Sequence, residues 1–373
     1  MTAASTVEPL TITACSAVSA AGFGIEVLGD RLRTADRATA SAVEGTSAER
    51  STEEDFPPRP VRTIADLRVA EFLGRRGTRN LDRLTLLGLI TAKQLLDETG
   101  PVAEDDQPDV GVAIGTAAGS LRTQAEIGRD TLIEEKPYLV NPSRFPNTVM
   151  NSCAGQIAIR NSLQGVNATL AAGQLSSLHA LRYARVAIGR KRAGRLLVGG
   201  VEELSPQLAW GWHRTSVVPS DVPLGEGAAL LMVSEVEQDR DSAIAQLLAC
   251  EVGFAAPGSR TIPTRVLRTL LDRALTRSGL TPDEVDVVSL GAVGSPTLRR
   301  VEERAVTEVL GERAERIRVA DVVGECFSAS GALQVAALLA LWRREPAERP
   351  RVGVVTSVGP DGNLGCAVIR EAA

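Results

Sequence analysis

Two patterns of hydrophobic residues alternate along the chain, and together they predict an α/β fold. Continuous apolar runs such as VGVAIG, from residue 110, are typical of buried strands, whereas apolar residues three or four apart are typical of amphipathic helices. Helical patterns cover residues 80–98, 121–135 and 176–188. The polar stretch 33–60 is predicted to be an exposed, partly disordered loop. Buried strands alternating with helices predict mostly parallel sheets that are covered on both faces.

The second half of the chain repeats the first half in outline. Residues 175–204 and 328–359 each consist of a small-residue helix start, an apolar helix, a basic turn and an apolar strand that ends in glycine. An internal duplication of a βαβ-rich unit is the simplest explanation of this similarity. We therefore expect two halves, residues 1–235 and 236–373.

Composition and charge exclude several classes of function. The 373 residues carry a net charge of −5 and only 3% aromatic side chains, so the chain lacks the basic surface and stacking residues of a nucleic-acid-binding protein. Because no signal peptide and no membrane-spanning apolar run is present, we expect a cytoplasmic protein with no membrane partner. The five cysteines are scattered and odd in number, which favours reduced thiols. We expect no metal and no cofactor.

The segment GVNATLAAGQLSSLHAL (165–181) predicts a strand, a tight turn of small residues and a helix. A side chain at the apex of such a turn lies at a helix N-terminus, where a cysteine would have a lowered pKa and be a good nucleophile. The apex residue is Gln174, which cannot ionise and cannot form a thioester. The segment is therefore a nucleophile elbow without its nucleophile. The amide oxygen of Gln174 is placed to accept backbone N–H bonds, and a role beyond structure stays open.

Several strings that follow one another along nearly the whole chain resemble those of the β-ketoacyl synthases. Besides the elbow, they are FPNTVMNSCAGQIAI (145–159), GGVEELSP (199–206), PLGEGAALLMV (223–233), PTLRRVEERAV (296–306) and GECFSASGALQVAALLAL (324–341). This resemblance implies the thiolase-like fold, in which duplicated βαβ-rich halves form a layered α-β-α-β-α architecture. It also implies a family chemistry of acyl transfer by a cysteine, two histidines and a lysine.

The positions of those catalytic residues are substituted in this chain. Counted from the matching strings, the cysteine position is Gln174, the histidine positions are Gly291 and Glu325, and the lysine position is near Ala320. Acyl transfer needs a thiolate, and decarboxylation needs imidazoles that polarise the malonyl carbonyl, so we predict no catalytic residue. This pattern resembles the chain length factors of type II polyketide synthases. The resemblance implies a heterodimer with a ketosynthase α subunit, a shared tunnel for the growing chain, and an acyl carrier protein that delivers it.

Two other functions stay open. One is a self-sufficient acyltransferase with rearranged catalytic residues, and the other is a homodimeric protein that binds carrier proteins without forming a tunnel. The first would need a substitute nucleophile such as Cys153 or Cys326, although a buried cysteine is normally a small hydrophobe. The two histidines, His179 and His213, fall at no catalytic position. Glu325 is a candidate general base, but a buried carboxylate is more often a structural hydrogen-bonding group.

The resemblance also indicates where the chain meets its substrate and its partner. Leu121, Gln124 and Gly128 share one face of the predicted helix 121–135, at a place that limits chain length in the family, with ordinary packing as the alternative. Because a glycine inside a helix costs about 1 kcal/mol relative to alanine, we expect a close neighbour at Gly128, either a chain end or a partner backbone. The dimer interface is expected at Phe145, Pro146, Asn147, Thr148, Val149 and Met150.

Overall fold

The computed structural model describes residues 8–39, 56–256, 261–292, 296–344 and 347–372. The strands in these residues are β1 (Leu10–Ser19), β2 (Gly22–Phe23), β3 (Val61–Arg62), β4 (Val110–Gly115), β5 (Asn167–Leu170), β6 (Arg195–Glu202), β7 (Leu224–Gly225), β8 (Gly227–Glu235), β9 (Ala245–Phe254), β10 (Val287–Ser289), β11 (Glu315–Ile317), β12 (Val352–Val358) and β13 (Asn363–Glu371). The helices are α1 (Ile25–Thr39), α2 (Val69–Phe72), α3 (Arg83–Thr99), α4 (Leu121–Ile133), α5 (Ser152–Arg160), α6 (Ser176–Gly189), α7 (Pro206–Thr215), α8 (Ile262–Ser278), α9 (Pro296–Leu310), α10 (Ala320–Val323) and α11 (Ser330–Trp342).

The large sheet shows the same strand arrangement twice. Its order is β11-β10-β12-β13-β9-β1-β8-β6-β4-β5, with β2 added beside β1. Outward from the β1–β9 contact, one side runs β1-β8-β6-β4-β5 and the other runs β9-β13-β12-β10-β11. If the strands of each side are numbered in chain order, both sides follow the order first, fifth, fourth, second, third. The two sides join where residues 10–12 pair with residues 245–247. The division of the chain after residue 235, where β8 ends, stays a prediction.

The prediction of mostly parallel sheets is wrong. β4, β5 and β6 are mutually parallel, as are β10, β11 and β12, but β8, β1, β9 and β13 pair antiparallel with their neighbours. A continuous apolar run reports burial on both faces and carries no information on strand direction. β13 shows the reason, because the short turn at residues 359–362 returns the chain directly alongside β12.

Three hydrophobic clusters separate the sheets and helices into layers. α1, α6 and α11 pack between the two sides of the sheet. α3 and α5 cover the outer face formed by β4, β6 and β8, whereas α8 and α9 cover the outer face formed by β10, β12 and β13. The order is therefore helix, sheet, helix, sheet, helix, which confirms the layered architecture. None of the described helices combines the length and apolarity needed to span a membrane.

The polar stretch that was predicted to be a loop is helical at its start. Residues 33–39 continue α1, which buries Leu28 and Leu32 against the central layer. The polar stretch therefore begins in the last turns of an amphipathic helix. The apolar residues that bury this helix, Leu28 and Leu32, lie just before the stretch in the sequence. At its far end Arg59 is buried and donates to backbone carbonyls of a neighbouring loop. Residues 40–55 lie outside the described residues.

Candidate functional site

The elbow has the predicted construction. β5 leads through a 3-10 turn over Gly173–Leu175 into α6. Gly173 has φ +55°, a left-handed conformation that glycine adopts without strain. The Ser176 hydroxyl closes the turn, since it accepts from the Ala172 N–H at 3.0 Å and donates to the Gly173 carbonyl at 2.7 Å. Gln174 at the apex is buried, with 7% of its surface exposed.

The structure brings Gly291 and Glu325 into contact with Gln174, and these are the three positions that the resemblance matches to the family's cysteine and histidines. The Gln174 Nε2 donates to the Gly291 carbonyl at 2.8 Å and to Glu325 Oε2 at 3.3 Å. The expected bonds from backbone N–H groups to the Gln174 oxygen are not formed in the described residues, so that prediction is wrong. The Gly291 carbonyl and the Glu325 carboxylate both accept hydrogen bonds, and only the nitrogen of the Gln174 amide can donate. The amide nitrogen therefore points toward these two groups.

Glu325 is held by donors on both of its oxygens. Oε2 accepts from Gln174, and Oε1 accepts from the Phe327 N–H at 2.7 Å and the Ser330 hydroxyl at 3.0 Å. Burial raises the pKa of Glu325 to about 7, with a smaller contribution in the same direction from Glu302. These contacts fit the structural role better than that of a general base, because each oxygen is already engaged.

Glu302 completes the site, although the sequence alone does not single it out. Its Oε1 accepts from the Gly291 N–H at 2.9 Å and the Thr356 hydroxyl at 2.7 Å, and its Oε2 accepts from the Ala292 N–H at 3.0 Å. The carboxylate therefore fixes the loop that carries Gly291. The available signal was a lone glutamate on the apolar face of α9, where it is fully buried.

Gly291 stands where the backbone has no room for a side chain. A Cβ built on it would lie 2.3 Å from the Thr356 carbonyl oxygen. Ala320, near which the resemblance places the family lysine, lines a neighbouring cavity with Gly291 and Gln334 that has room for about one water molecule. No amine or imidazole of the described residues reaches this place.

The remaining candidate groups lie away from these contacts or are unreactive. Burial raises the pKa of all five cysteine thiols, including Cys153 and Cys326, so neither has the character of a reactive thiolate. His179 is half-buried on α6, and burial followed by the charge of Arg182 lowers its pKa. His213 contacts the Trp210 ring in the last turn of α7. Across the described ranges, no three potential metal ligands cluster together.

α4 carries Leu121, Gln124 and Gly128 as predicted, but this chain alone does not enclose them. Only Thr123 of α4 is buried. The Gln124 amide turns back and donates to the Ala118 carbonyl at 2.9 Å. A Cβ at Gly128 would meet no described atom within 4 Å, so the close neighbour expected there is not part of the described chain.

The segment expected at the dimer interface presents apolar side chains to the surface. Phe145 is 64% exposed and Val149 is 47% exposed, while Pro146 is also exposed. Thr148 and Met150 are half-buried, and Asn147 is buried with its amide donating to a backbone carbonyl. Further exposed apolar residues on neighbouring elements are Leu132, Ile133, Tyr138, Leu139 and Ile159. β5 is an edge strand that pairs only with β4 among the described strands.

Two family models match the chain in succession. Residues 8–238 match the β-ketoacyl synthase N-terminal domain, and residues 245–345 match the β-ketoacyl synthase C-terminal domain.

Individual relatives and solved structures carry related names. The chain is 26% identical over 307 residues to 3-oxoacyl-(acyl-carrier-protein) synthase 2 of Coxiella burnetii, which covers 75% of this chain and 74% of the relative. It is 28% identical over 305 residues to the tetracenomycin polyketide synthase ketoacyl synthase beta subunit of Streptomyces glaucescens, with 73% and 71% covered. The ishigamide ketosynthase/chain length factor structure superposes with a TM-score of 0.83 at 30% identity, over 98% of this chain and 100% of that chain. A ketosynthase in complex with its type II acyl carrier protein superposes with a TM-score of 0.79 at 17% identity, over 98% and 100%.

Proposed function

The chain belongs to the β-ketoacyl synthase family, and we propose that it is a chain length factor, a non-catalytic subunit that pairs with an active ketosynthase and helps to shape the tunnel for a growing polyketide. The observation that carries this proposal is the state of the three family catalytic positions. The Gln174 amide donates hydrogen bonds to both Gly291 and Glu325, and the backbone at Gly291 has no room for a histidine. With the Gln174 nitrogen and both oxygens of Glu325 engaged within the protein, these positions offer no nucleophile and no free base to an acyl thioester.

The exposed apolar surface supports pairing with a second subunit. We define the pairing surface by its exposed apolar residues, which are Leu132, Ile133, Tyr138, Leu139, Phe145, Val149 and Ile159. Soluble monomers rarely expose so many large apolar side chains on neighbouring elements. The unpaired edge of β5 offers a row of backbone groups in addition. Such a surface fits an obligate interface, which buries roughly 2,000 Å² or more.

A basic surface beside α3 and α4 supports contact with an acidic carrier protein. The loop before α3 exposes Arg75, Arg76 and Arg79, although the whole chain is acidic. A hollow of about 410 Å³ adjoins it and is lined by Arg79, Arg83, Arg122 and Arg144, of which Arg83 pairs with Glu226 and Arg144 pairs with Glu126. The basic turn at residues 190–192 is a weaker candidate, because Lys191 pairs there with Glu235.

Some relatives are named as synthases, so a self-sufficient acyltransferase is the alternative function. The five cysteine thiols of this chain argue against that alternative. A rearranged enzyme needs an accessible thiolate, and each of the five thiols is buried with a raised pKa. The similarity at 30% identity to a ketosynthase/chain length factor, and to a polyketide beta subunit, favours the non-catalytic subunit.

Co-expression with the ketosynthase encoded beside this chain tests the proposal. We expect the two chains to co-purify as a heterodimer, and intact-mass analysis after incubation with acyl carrier protein thioesters to find the acyl group on the ketosynthase alone. Phe145→Asp should abolish co-purification, whereas the control Val27→Asp, on α1 and away from the pairing surface, should not. An acyl adduct on this chain that turns over, or a stable monomer that ignores the ketosynthase, would contradict the proposal.

A further inference from the structure

Glu203 is a buried carboxylate, directly after β6, for which the proposed function has no role. It is 1% exposed. Its Oε1 accepts from the Ser120 hydroxyl at 3.0 Å and from the Arg122 N–H at 3.3 Å. Its Oε2 accepts from the Leu84 N–H at 3.1 Å. One oxygen therefore serves the start of α4, and the other oxygen serves the start of α3.

The two helices depend on Glu203 to different degrees. Arg122 and Leu84 are each the second residue of their helix, so their N–H groups have no acceptor within the helix, and the helix dipole favours a carboxylate there. α3 is also held by ten buried residues and by the cap that Asp82 provides. α4 also has a cap, since the Ser120 hydroxyl accepts from the Thr123 N–H at 3.3 Å, but it buries only Thr123 and so has few other contacts with the core.

We propose that Glu203 is the positioning residue that fixes the first turn of α4 to the end of β6. By holding that turn, the carboxylate sets where the face with Leu121, Gln124 and Gly128 lies. The consequence for product length rests on the proposed function, in which this face lines the tunnel. The positioning itself does not rest on it, because it follows from the hydrogen bonds alone.

The chemistry of the side chain makes the proposal testable. Each oxygen of Glu203 accepts from a different helix, and an amide has only one acceptor, so Glu203→Gln must lose one of the two contacts. Because buried residues hold α3 in place, we expect α4 to be released. Glu202 is a matched control, since it is equally buried and its bonds from the Ala117 N–H and the Ser328 hydroxyl both go to Oε2. An amide oxygen at Glu202 can keep both bonds.

Hydrogen–deuterium exchange of the full chain in complex with its ketosynthase measures this release. In Glu203→Gln we expect the amides at the start of α4 to exchange at least about fivefold faster, as for loss of a helix cap, while α3 stays within about twofold. Glu202→Gln should leave both helices within about twofold. Unchanged exchange of α4 in a folded Glu203→Gln complex would overturn the proposal.

Two further measurements keep the outcome clear. If Glu203→Gln is insoluble, Glu203→Asp keeps the charge but is too short to reach both helices, and it should also speed exchange of α4. Insolubility of both variants would make Glu203 a residue of the general core and would equally overturn the proposal. The lengths of the products made by the reconstituted complex separate the two hypotheses. Faster exchange of α4 with unchanged lengths supports the positioning role and counts against the tunnel role of α4.

Discussion

Replacing Gly291 with alanine tests whether the site has room for the histidine that the resemblance implies at this position. The new Cβ would lie 2.3 Å from the Thr356 carbonyl oxygen and 3.1 Å from the amide atoms of Gln334, well inside ordinary contact of about 3.5 Å. The Gln334 side chain can shift, but Thr356 belongs to β12, which is paired on both edges. Relief of the clash therefore requires the backbone of the sheet or of the Gly291 loop to move.

The expected cost follows from overpacking of a closed site. Adding a methyl group to a well-packed core costs about 1–3 kcal/mol, and a clash with strand backbone belongs at the upper end. The reduced entropy of the unfolded chain returns about 0.4–1 kcal/mol on a change from glycine to alanine. We therefore expect Gly291→Ala to lower the free energy of unfolding by about 2 kcal/mol. Gly128→Ala is the matched control, because its Cβ meets nothing within 4 Å inside an exposed helix. It should raise the free energy of unfolding by about 0.5–1 kcal/mol.

Urea denaturation followed by circular dichroism measures both changes in one series. The two variants should move the transition midpoint in opposite directions from the parent protein. A Gly291→Ala protein as stable as the parent would refute the reasoning, since it would show that this loop tolerates a side chain. The loss of the family histidine would then be reversible by substitution, and the site could not be called closed on steric grounds.

Three further predictions concern the tunnel, the elbow and the buried acids. Gly128→Phe in the reconstituted heterodimer should give shorter products by mass spectrometry, and unchanged lengths at a normal rate would place Gly128 away from the growing chain. Gln174→Cys should be alkylated by iodoacetamide faster than the five native thiols, because it lies at a helix N-terminus, yet it should show no acyl turnover without an imidazole. The free energy of unfolding should fall as pH rises from about 5 to 8. Burial raises the pKa of Glu202 to about 8 and the pKa values of Glu203 and Glu325 to about 7. Because the pKa in unfolded chains is about 4.3, the folded chain binds more protons across this range. Glu325→Gln should flatten that slope in urea titrations across this range, and an unchanged slope would show that Glu325 does not titrate as described.

Local pattern was sufficient to predict the elbow and the helices at residues 80–98, 121–135 and 176–188. Small residues before an apolar helix specify the turn at Gly173, and spacing between matching strings placed Gln174, Gly291 and Glu325 in one site. The orientation of the Gln174 amide was not predictable in the same way. Its acceptors are 117 and 151 residues away, so only the folded chain shows that they outcompete the nearby backbone N–H groups.

The roles of Glu203 and Glu302 were hidden for a related physical reason. Both carboxylates bind backbone N–H groups, which every residue except proline carries, so no partner residue type marks them in the sequence. Glu302 also lies 3.8 Å from Arg318 Nη1, but this contact is longer than its hydrogen bonds to the backbone. An acidic residue next to apolar positions was the available signal, and the identity of the loop or helix that it holds came only from tertiary structure.

The contacts at the elbow explain why a catalytic site can be closed while its framework persists. A working site must leave a nucleophile and proton-transfer groups free for the substrate, whereas here the Gln174 nitrogen and both oxygens of Glu325 are engaged within the protein. Gln174 lies before α6, and Glu325 lies before α11, the two helices of the central layer. The hydrogen bond between Gln174 and Glu325 therefore links the segments that precede the N-termini of these two helices. Under the proposed non-catalytic role, we therefore expect substitutions at Gln174 to change the stability of this chain rather than a reaction rate.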